Sequence, residues 1–175
     1  MPELPEVETV KLGLQKLLPG RRVVAVDFDT EKSFPNAPAD VEQFLVGAKV
    51  LEVKRRAKVV IVVLDSKYSL LIHLKMTGQL VFVGKERFGA GHPNDSLINE
   101  LPDRSTRVTL DFGDAKLYFN DQRKFGWVRL IPTTEIPKID FMKKLGPEPL
   151  AADFTAQAFV ERLQRRKNST IKAVL

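Results

Sequence analysis

Between Lys49 and Ile131 the chain is a succession of short apolar runs closed by turn residues, and nothing else limits its fold so tightly. Lys49 to Arg55, Val59 to Leu64, Ser69 to Lys75 and Gln79 to Val83 read as strands, as do Arg107 to Phe112, Lys116 to Asn120 and Gly126 to Ile131. An earlier valine-rich run, Arg22 to Phe28, alternates in the same way. Val, Ile, Leu and Phe at period two fit a pleated surface with one buried face. Asp65-Ser66-Lys67, Thr77-Gly78 and Gly113-Asp114 supply hairpin turns. Short strands joined by tight turns pair with their neighbours, which predicts an antiparallel sandwich or barrel. Gly84 to Thr106 interrupts the pattern with a long polar stretch, expected as a functional or mobile loop.

Helices are expected at both ends, so the class is α+β, mainly β. Val7, Val10, Leu14, Leu17 and Leu18 share one helical face over Leu4 to Leu18. Pro5 is tolerated in a first turn, Glu6 and Glu8 suit a helix N-terminus, and Pro19-Gly20 ends it. Ala39 to Val46 reads as a short helix and Phe141 to Leu145 as a short turn. Thr155 to Arg166 reads as a helix with Ala156, Phe159, Val160 and Leu163 on its apolar face. Ser169 to Leu175 begins a further apolar helical pattern without a stop signal, expected as the start of a helix whose partners are missing. The expected organisation is a β domain over residues 1–132, a linker over 133–154, and a new helical domain from 155 to 175.

Composition narrows the chemistry. The absence of cysteine excludes disulfides, a thiol nucleophile and a cysteine zinc site. No apolar run approaches a membrane span and the N-terminus lacks a signal-peptide pattern, so a cytoplasmic protein is expected. A net charge of +6 permits attraction to a polyanion, nucleic acid first.

Four patches carry candidate chemistry, and each alone also admits a plain structural reading. Removal of Met1 would leave Pro2 as a terminal secondary amine beside Glu3. An α-amino group titrates near ~8, far below lysine, so part of it is nucleophilic at neutral pH. Attack on a sugar carbon would give an iminium, an electron sink, with Glu3 as acid or base. Lys54-Arg55-Arg56-Ala57-Lys58 is a basic run at a strand end; alternation forbids all of it from facing outward, and Lys58 should sit at the core's edge. His73-Leu74-Lys75-Met76-Thr77-Gly78 places Met76 at a turn, either as core filler or as a wedge between bases. Asp121-Gln122-Arg123-Lys124-Phe125-Gly126 sets a cation and an aromatic two apart, either as a turn with a buried ring or as substitutes for a displaced base.

Together, in this order, these patches resemble bacterial formamidopyrimidine-DNA glycosylases. The opening Met1-Pro2-Glu3-Leu4-Pro5-Glu6-Val7-Glu8-Thr9 is similar to that family's N-terminal signature nearly letter for letter. Arg55-Arg56-Ala57-Lys58, His73 to Gly78, Asp121 to Gly126 and Leu145-Gly146-Pro147-Glu148-Pro149-Leu150 match at the expected spacings. Gln122 stands where proline is common, and Ser105 where a Lys-His pair is often seen, which puts a phosphate contact there in doubt.

The resemblance implies a two-sheet antiparallel β-sandwich flanked by an N-terminal helix and C-terminal helices. It implies a monomeric base-excision repair enzyme, both glycosylase and AP lyase. The substrate would be duplex DNA bearing 8-oxoguanine, a formamidopyrimidine or an abasic site, cleaved by β- and δ-elimination. It assigns Pro2 as nucleophile, Glu3 as proton donor or shuttle, Glu6 as support, and Lys58 beside the damaged base and its phosphate. Met76, Arg123 and Phe125 would fill the gap left by the flipped nucleotide, and His73 would contact a backbone phosphate. The family's helix–two-turn–helix domain would begin at the chain's last residues. Its zinc belongs to a four-cysteine finger that this sequence does not contain, so no cofactor is expected here. The endonuclease VIII branch, which prefers oxidised pyrimidines, is the alternative; Leu4, Arg123 and Phe125 favour the purine branch. For these 175 residues alone, a non-catalytic DNA-binding module is the other alternative.

Overall fold

The computed structural model describes residues 1–171. The expected helix over Ile171 to Leu175 therefore lies outside the described residues, Ile171 excepted. Helix α1 (Leu4–Leu17) leads into β1 (Ala25–Phe28), α2 (Pro38–Phe44) and strands β2 (Val50–Arg56), β3 (Val59–Leu64) and β4 (Tyr68–His73). Then come β5 (Gly78–Val83), β6 (Arg87–Gly91), β7 (Thr106–Asp111), β8 (Lys116–Asp121) and β9 (Trp127–Pro132). Helices α3 (Asp140–Lys143) and α4 (Ala156–Gln164) follow. Met1–Ile136 forms one compact unit, and a second begins at Pro137.

The first unit is a sandwich of two antiparallel sheets, ordered β1-β7-β8-β5-β6 and β2-β3-β4-β9. Its core comes from alternate residues of both inner faces: Val60, Val62, Leu70 and Ile72 on one sheet, Leu80, Phe82, Leu117 and Phe119 on the other. The predicted face of α1 joins them through Val7, Val10, Leu14 and Leu18, all fully buried. Phe34 reaches the core from the loop after β1, with its ring 5.2 Å from that of Phe28. Phe34→Ala should cost about 3–5 kcal/mol, because the emptied site is walled by packed side chains. Urea unfolding followed through Trp127, the sole tryptophan, measures it.

Three expectations are corrected. Thr77-Gly78 is not a hairpin: β4 and β5 lie in different sheets, and the turn Leu74–Thr77 carries the chain across the sandwich. The Gly78 N–H donates to Leu74 O (2.8 Å), and a Cβ at Gly78 would collide with the Leu74 backbone, so the crossover needs glycine. The stretch Gly84 to Thr106 is not a structureless loop. It contains β6, paired with β5, and a 3-10 turn at Asp95–Leu97. Phe88 of β6 covers Gly13 of α1, while Arg-Phe-Gly-Ala-Gly has no strand pattern of its own. Buried Gln79 donates to His92 O and to Asn94 Oδ1 (2.7 Å), and Arg87 donates to Leu97 O (3.1 Å) and Asn99 O (2.6 Å), which fixes the rest. Finally, the first strand starts at Ala25. Arg22 bridges to Lys49 and the Val23 N–H donates to Ala48 O, whereas the Val24 N–H already donates to Asp111 O of the other sheet. The chain changes sheets at these residues.

Candidate active site at one end of the sandwich

Helix α1 is clamped along its length to an edge strand. Val53 of β2 donates its N–H to Gln15 Oε1 (2.5 Å), and Arg55 Nε donates to Glu8 Oε2 (2.5 Å). The Arg55 side chain is only 3% exposed, so the basic run does send one member inward, as alternation required. Burial pushes the Glu8 carboxyl up, but Lys11 and Arg55 outweigh it and hold Glu8 below the usual carboxylate range. The pair fixes the helix and, with it, the residues that precede it.

Pro2 is buried and Met1 exposed. Glu6 accepts the N–H of Glu3 (3.0 Å), which sets the chain direction at the helix entrance. The Glu3 carboxylate is 2.6 Å from Lys58 Nζ, and both side chains are partly exposed. Lys58 follows Ala57, whose backbone is left-handed (φ 48°), between β2 and β3. Lys58, more than fifty residues away in sequence, is thus brought to Glu3, which lies beside Pro2 and Glu6 at the helix entrance.

The same end of the sandwich gathers the other patches. Val59 is the register partner of His73, and His73 of Trp127, so the start of β3, the end of β4 and the start of β9 are adjacent. In the other sheet Gly78 pairs with Asp121, which brings the start of β5 and the end of β8 alongside. Met76 (38% exposed) and Phe125 (46% exposed) protrude from the two loops. Met76 is therefore no core filler and Phe125 no buried turn residue. The Arg123 guanidinium lies 4.9 Å from the Phe125 ring centre, and Lys32 Nζ lies 5.6 Å from it. Lys75 and Lys124, next to these residues, also have left-handed backbones (φ 50° and 56°). A non-glycine residue there costs roughly 1–2 kcal/mol, so three local strains, with Ala57, cluster at this end.

His73 is buried and tilted against Trp127, with ring centres 5.6 Å apart. Its Nδ1 accepts the Lys75 N–H (3.1 Å), which assigns the proton of the neutral ring to Nε2. Burial, then the charges of Lys75 and Lys58, lower its pKa from 6.5 to about 4. In the unfolded chain it takes a proton near pH ~6.5, in the folded chain only near ~4. Its contribution to stability is therefore complete above about pH 6.5 and lost as pH falls towards 4, on the order of 3 kcal/mol in all. Urea unfolding at pH 7 and pH 4.5 should show the drop, and His73→Gln should flatten it.

Sequence reading gave no role of their own to Asp121, Thr77 and Arg107, all buried. Asp two residues before Arg123 is an Asx-turn signature, and Asp121 Oδ1 does accept the Arg123 N–H (3.2 Å). Ser105 turns inward: its hydroxyl donates to Asp103 (2.7 Å) and pairs with Ser96 (3.1 Å). It lines a polar cleft of about 400 Å³ with Asp103, Arg104, Arg107 and Gln122. Burial raises the Asp103 carboxyl, but the Ser96 and Ser105 hydroxyls and two backbone N–H groups outweigh it and hold it below the usual carboxylate range. Among the described residues no group of three His, Cys, Asp or Glu is placed to hold a metal ion. Nor is any described helix long and apolar enough to cross a membrane.

The model of the formamidopyrimidine-DNA glycosylase N-terminal domain matches residues 1–128. A formamidopyrimidine-DNA glycosylase of Chloroflexus aurantiacus is 40% identical over 176 residues, covering all of this chain and 58% of its own length. One of Dinoroseobacter shibae is 37% identical over 178 residues, covering all of this chain and 61% of its own length. The chain thus spans about three fifths of these curated relatives. Among solved structures, the Lactococcus lactis Fpg with abasic-site DNA superposes with a TM-score of 0.76 at 27% identity, over 94% of this chain and 56% of that one. The same protein with DNA containing N7-benzyl-Fapy-dG gives 0.76 at 28% identity, over the same shares.

Proposed function

The chain belongs to the formamidopyrimidine-DNA glycosylase family, and from that premise we propose that it supplies the catalytic half of a base-excision repair glycosylase and AP lyase acting on oxidised purines in duplex DNA. The observation that carries this reading is the meeting of buried Pro2, Glu3 and Lys58 at the end of the sandwich that also presents Met76, Arg123 and Phe125.

The chemistry follows from the groups. While Met1 is attached, the Pro2 nitrogen is an amide and does not attack carbon. Once Met1 is removed it is a secondary amine with a lone pair. The amine attacks C1′ of the damaged nucleotide, the C1′–N bond breaks, and the base leaves with its electron pair. The Glu3 carboxylate takes the proton from the now positively charged Pro2 nitrogen and passes it to the sugar ring oxygen; the ring opens, and the lone pair freed on nitrogen closes to an iminium. The iminium acidifies the C2′ hydrogen; its loss expels the 3′ phosphate, and a second elimination expels the 5′ phosphate. Lys58, held at 2.6 Å by Glu3, keeps a positive charge where the base and its phosphate would lie. Arg123 pairs with the base left opposite, Phe125 stacks beside it, and Met76 enters the gap. Buried His73, at the end of β4, would contact a backbone phosphate. The net charge of +6 assists by displacing counterions from DNA.

Zinc would belong to a four-cysteine finger for which this chain has no cysteine, and no step above uses it. The reading implies a protein acting at the bacterial nucleoid as a monomer. One solved relative, the Lactococcus lactis Fpg, has been captured with DNA containing an oxidised pyrimidine, so thymine glycol is the proper comparison substrate. The test is borohydride trapping of the Met1-processed protein on duplexes containing 8-oxoguanine or thymine glycol. A crosslink formed preferentially on 8-oxoguanine is expected; preferential trapping on thymine glycol would move the chain to the pyrimidine branch.

A further inference from the structure

We infer that Asp121 is a positioning residue that locks the Met76 turn and the Arg123–Phe125 loop into a single rigid unit. The inference rests on the proposed reading for what the unit contacts, but its geometry stands without it. Asp121 closes β8 and is only 1% exposed. One carboxylate oxygen, Oδ1, accepts the hydroxyl of Thr77, on the turn that crosses between the sheets, and the N–H of Arg123 (3.2 Å). The other, Oδ2, accepts the N–H of Gly126 (2.7 Å). The Thr77 hydroxyl in turn accepts the Arg123 N–H at 3.1 Å. One buried carboxylate therefore holds both ends of the loop that carries Arg123 and Phe125, and the turn that carries Met76.

The backbone of Asp121 is held as firmly. Its N–H donates to Ser105 O (2.7 Å), and its carbonyl accepts from Arg107 Nε (2.8 Å). Arg107 itself is anchored by Asp29 (2.6 Å) and Arg104 O (2.6 Å). Gly126 closes the arrangement: a Cβ there would lie 2.7 Å from the Phe119 ring, 2.9 Å from His73 O and 3.1 Å from Asp121 Oδ2. The loop has no room to settle elsewhere, and its left-handed Lys124 (φ 56°) must be kept in place by these contacts. Two side chains and a ring that enter one gap in DNA need a common frame, because independent loops would lose their freedom separately on binding.

The test removes the shared hydroxyl without changing its shape. Thr77→Val should raise hydrogen exchange at the Arg123 and Gly126 amides by about tenfold in the protein without DNA, while Thr77→Ser should leave it close to wild type. Asp121→Asn should raise it further, since an amide N–H must then face a backbone N–H. On DNA, a duplex with a tetrahydrofuran abasic site should bind the Val variant about tenfold more weakly and the Ser variant normally. Unchanged exchange in both Thr77→Val and Asp121→Asn would overturn the inference. If wild type does not bind the abasic duplex, the proposed function fails, and the exchange measurement alone still decides this inference. A loss shared equally by Thr77→Val and Thr77→Ser would also overturn it, because a hydroxyl-independent effect is a packing effect.

Discussion

A chain that retains one uncleavable residue ahead of Pro2 should form no borohydride-trapped complex with abasic-site DNA, while the processed chain traps readily. The physical reason is categorical. An amide nitrogen shares its lone pair with the carbonyl; the free secondary amine does not. A terminal amine titrating near ~8 leaves on the order of a tenth unprotonated at pH 7, so processing turns the Pro2 nitrogen from an unreactive amide into a nucleophile. Pro2 is buried, and the helix behind it is clamped through Glu8–Arg55 and Gln15–Val53, so an added residue must occupy the space in front of the amine. Denaturing gel electrophoresis after borohydride reads the result directly. Equal trapping by the blocked and processed chains would place the nucleophile elsewhere, on the α-amine of the added residue or on Lys58.

Glu3→Gln should lower base excision by about 10²–10⁴-fold while leaving the fold intact. The side chain is 57% exposed and outside the core, so its stability cost is small. Its loss removes the group that moves the proton at the ring oxygen. It also releases Lys58 Nζ from its partner at 2.6 Å. The Glu3 N–H donates to the Glu6 carboxylate and does not depend on the Glu3 side chain, and the Gln side-chain oxygen can still accept the Glu6 N–H in the capping box. The helix entrance therefore stays in place, and the effect separates chemistry from position. Single-turnover excision of 8-oxoguanine, compared with trapping on a preformed abasic site, measures it. The excision step should suffer more than the trapping step, because the abasic sugar already presents an aldehyde to the amine. An equal loss in both would assign Glu3 to placing the nucleophile.

Much of the sandwich could be read from sequence because its strands carry their own signal. Val59 to Leu64 and Leu70 to Ile72 are β-branched or leucine-rich, and their turns are short. Arg-Phe-Gly-Ala-Gly of β6 carries no such signal; Phe88 packing on Gly13 and pairing with β5 create that strand. The change of sheet at Leu74–Thr77 was equally hidden. A tight turn between apolar runs looks the same whether the strands pair or part, and only the packing of two sheets distinguishes them.

The site divides along the same line. The sequence alone determined the reactive kinds and their order: a proline behind a removable methionine, a carboxylate beside it, a lysine ending a basic run, and Met76, Arg123 and Phe125 near turns. These properties are local, since amine chemistry, side-chain type and strand alternation need no partner. Tertiary structure alone decided that Lys58 reaches Glu3, that Met76 and Phe125 stand exposed, and that Asp121 ties their loops together. Each of those depends on register between strands distant in the chain, such as Val59 with His73 and Gly78 with Asp121, and register is set by the burial of a whole sheet face rather than by any single residue.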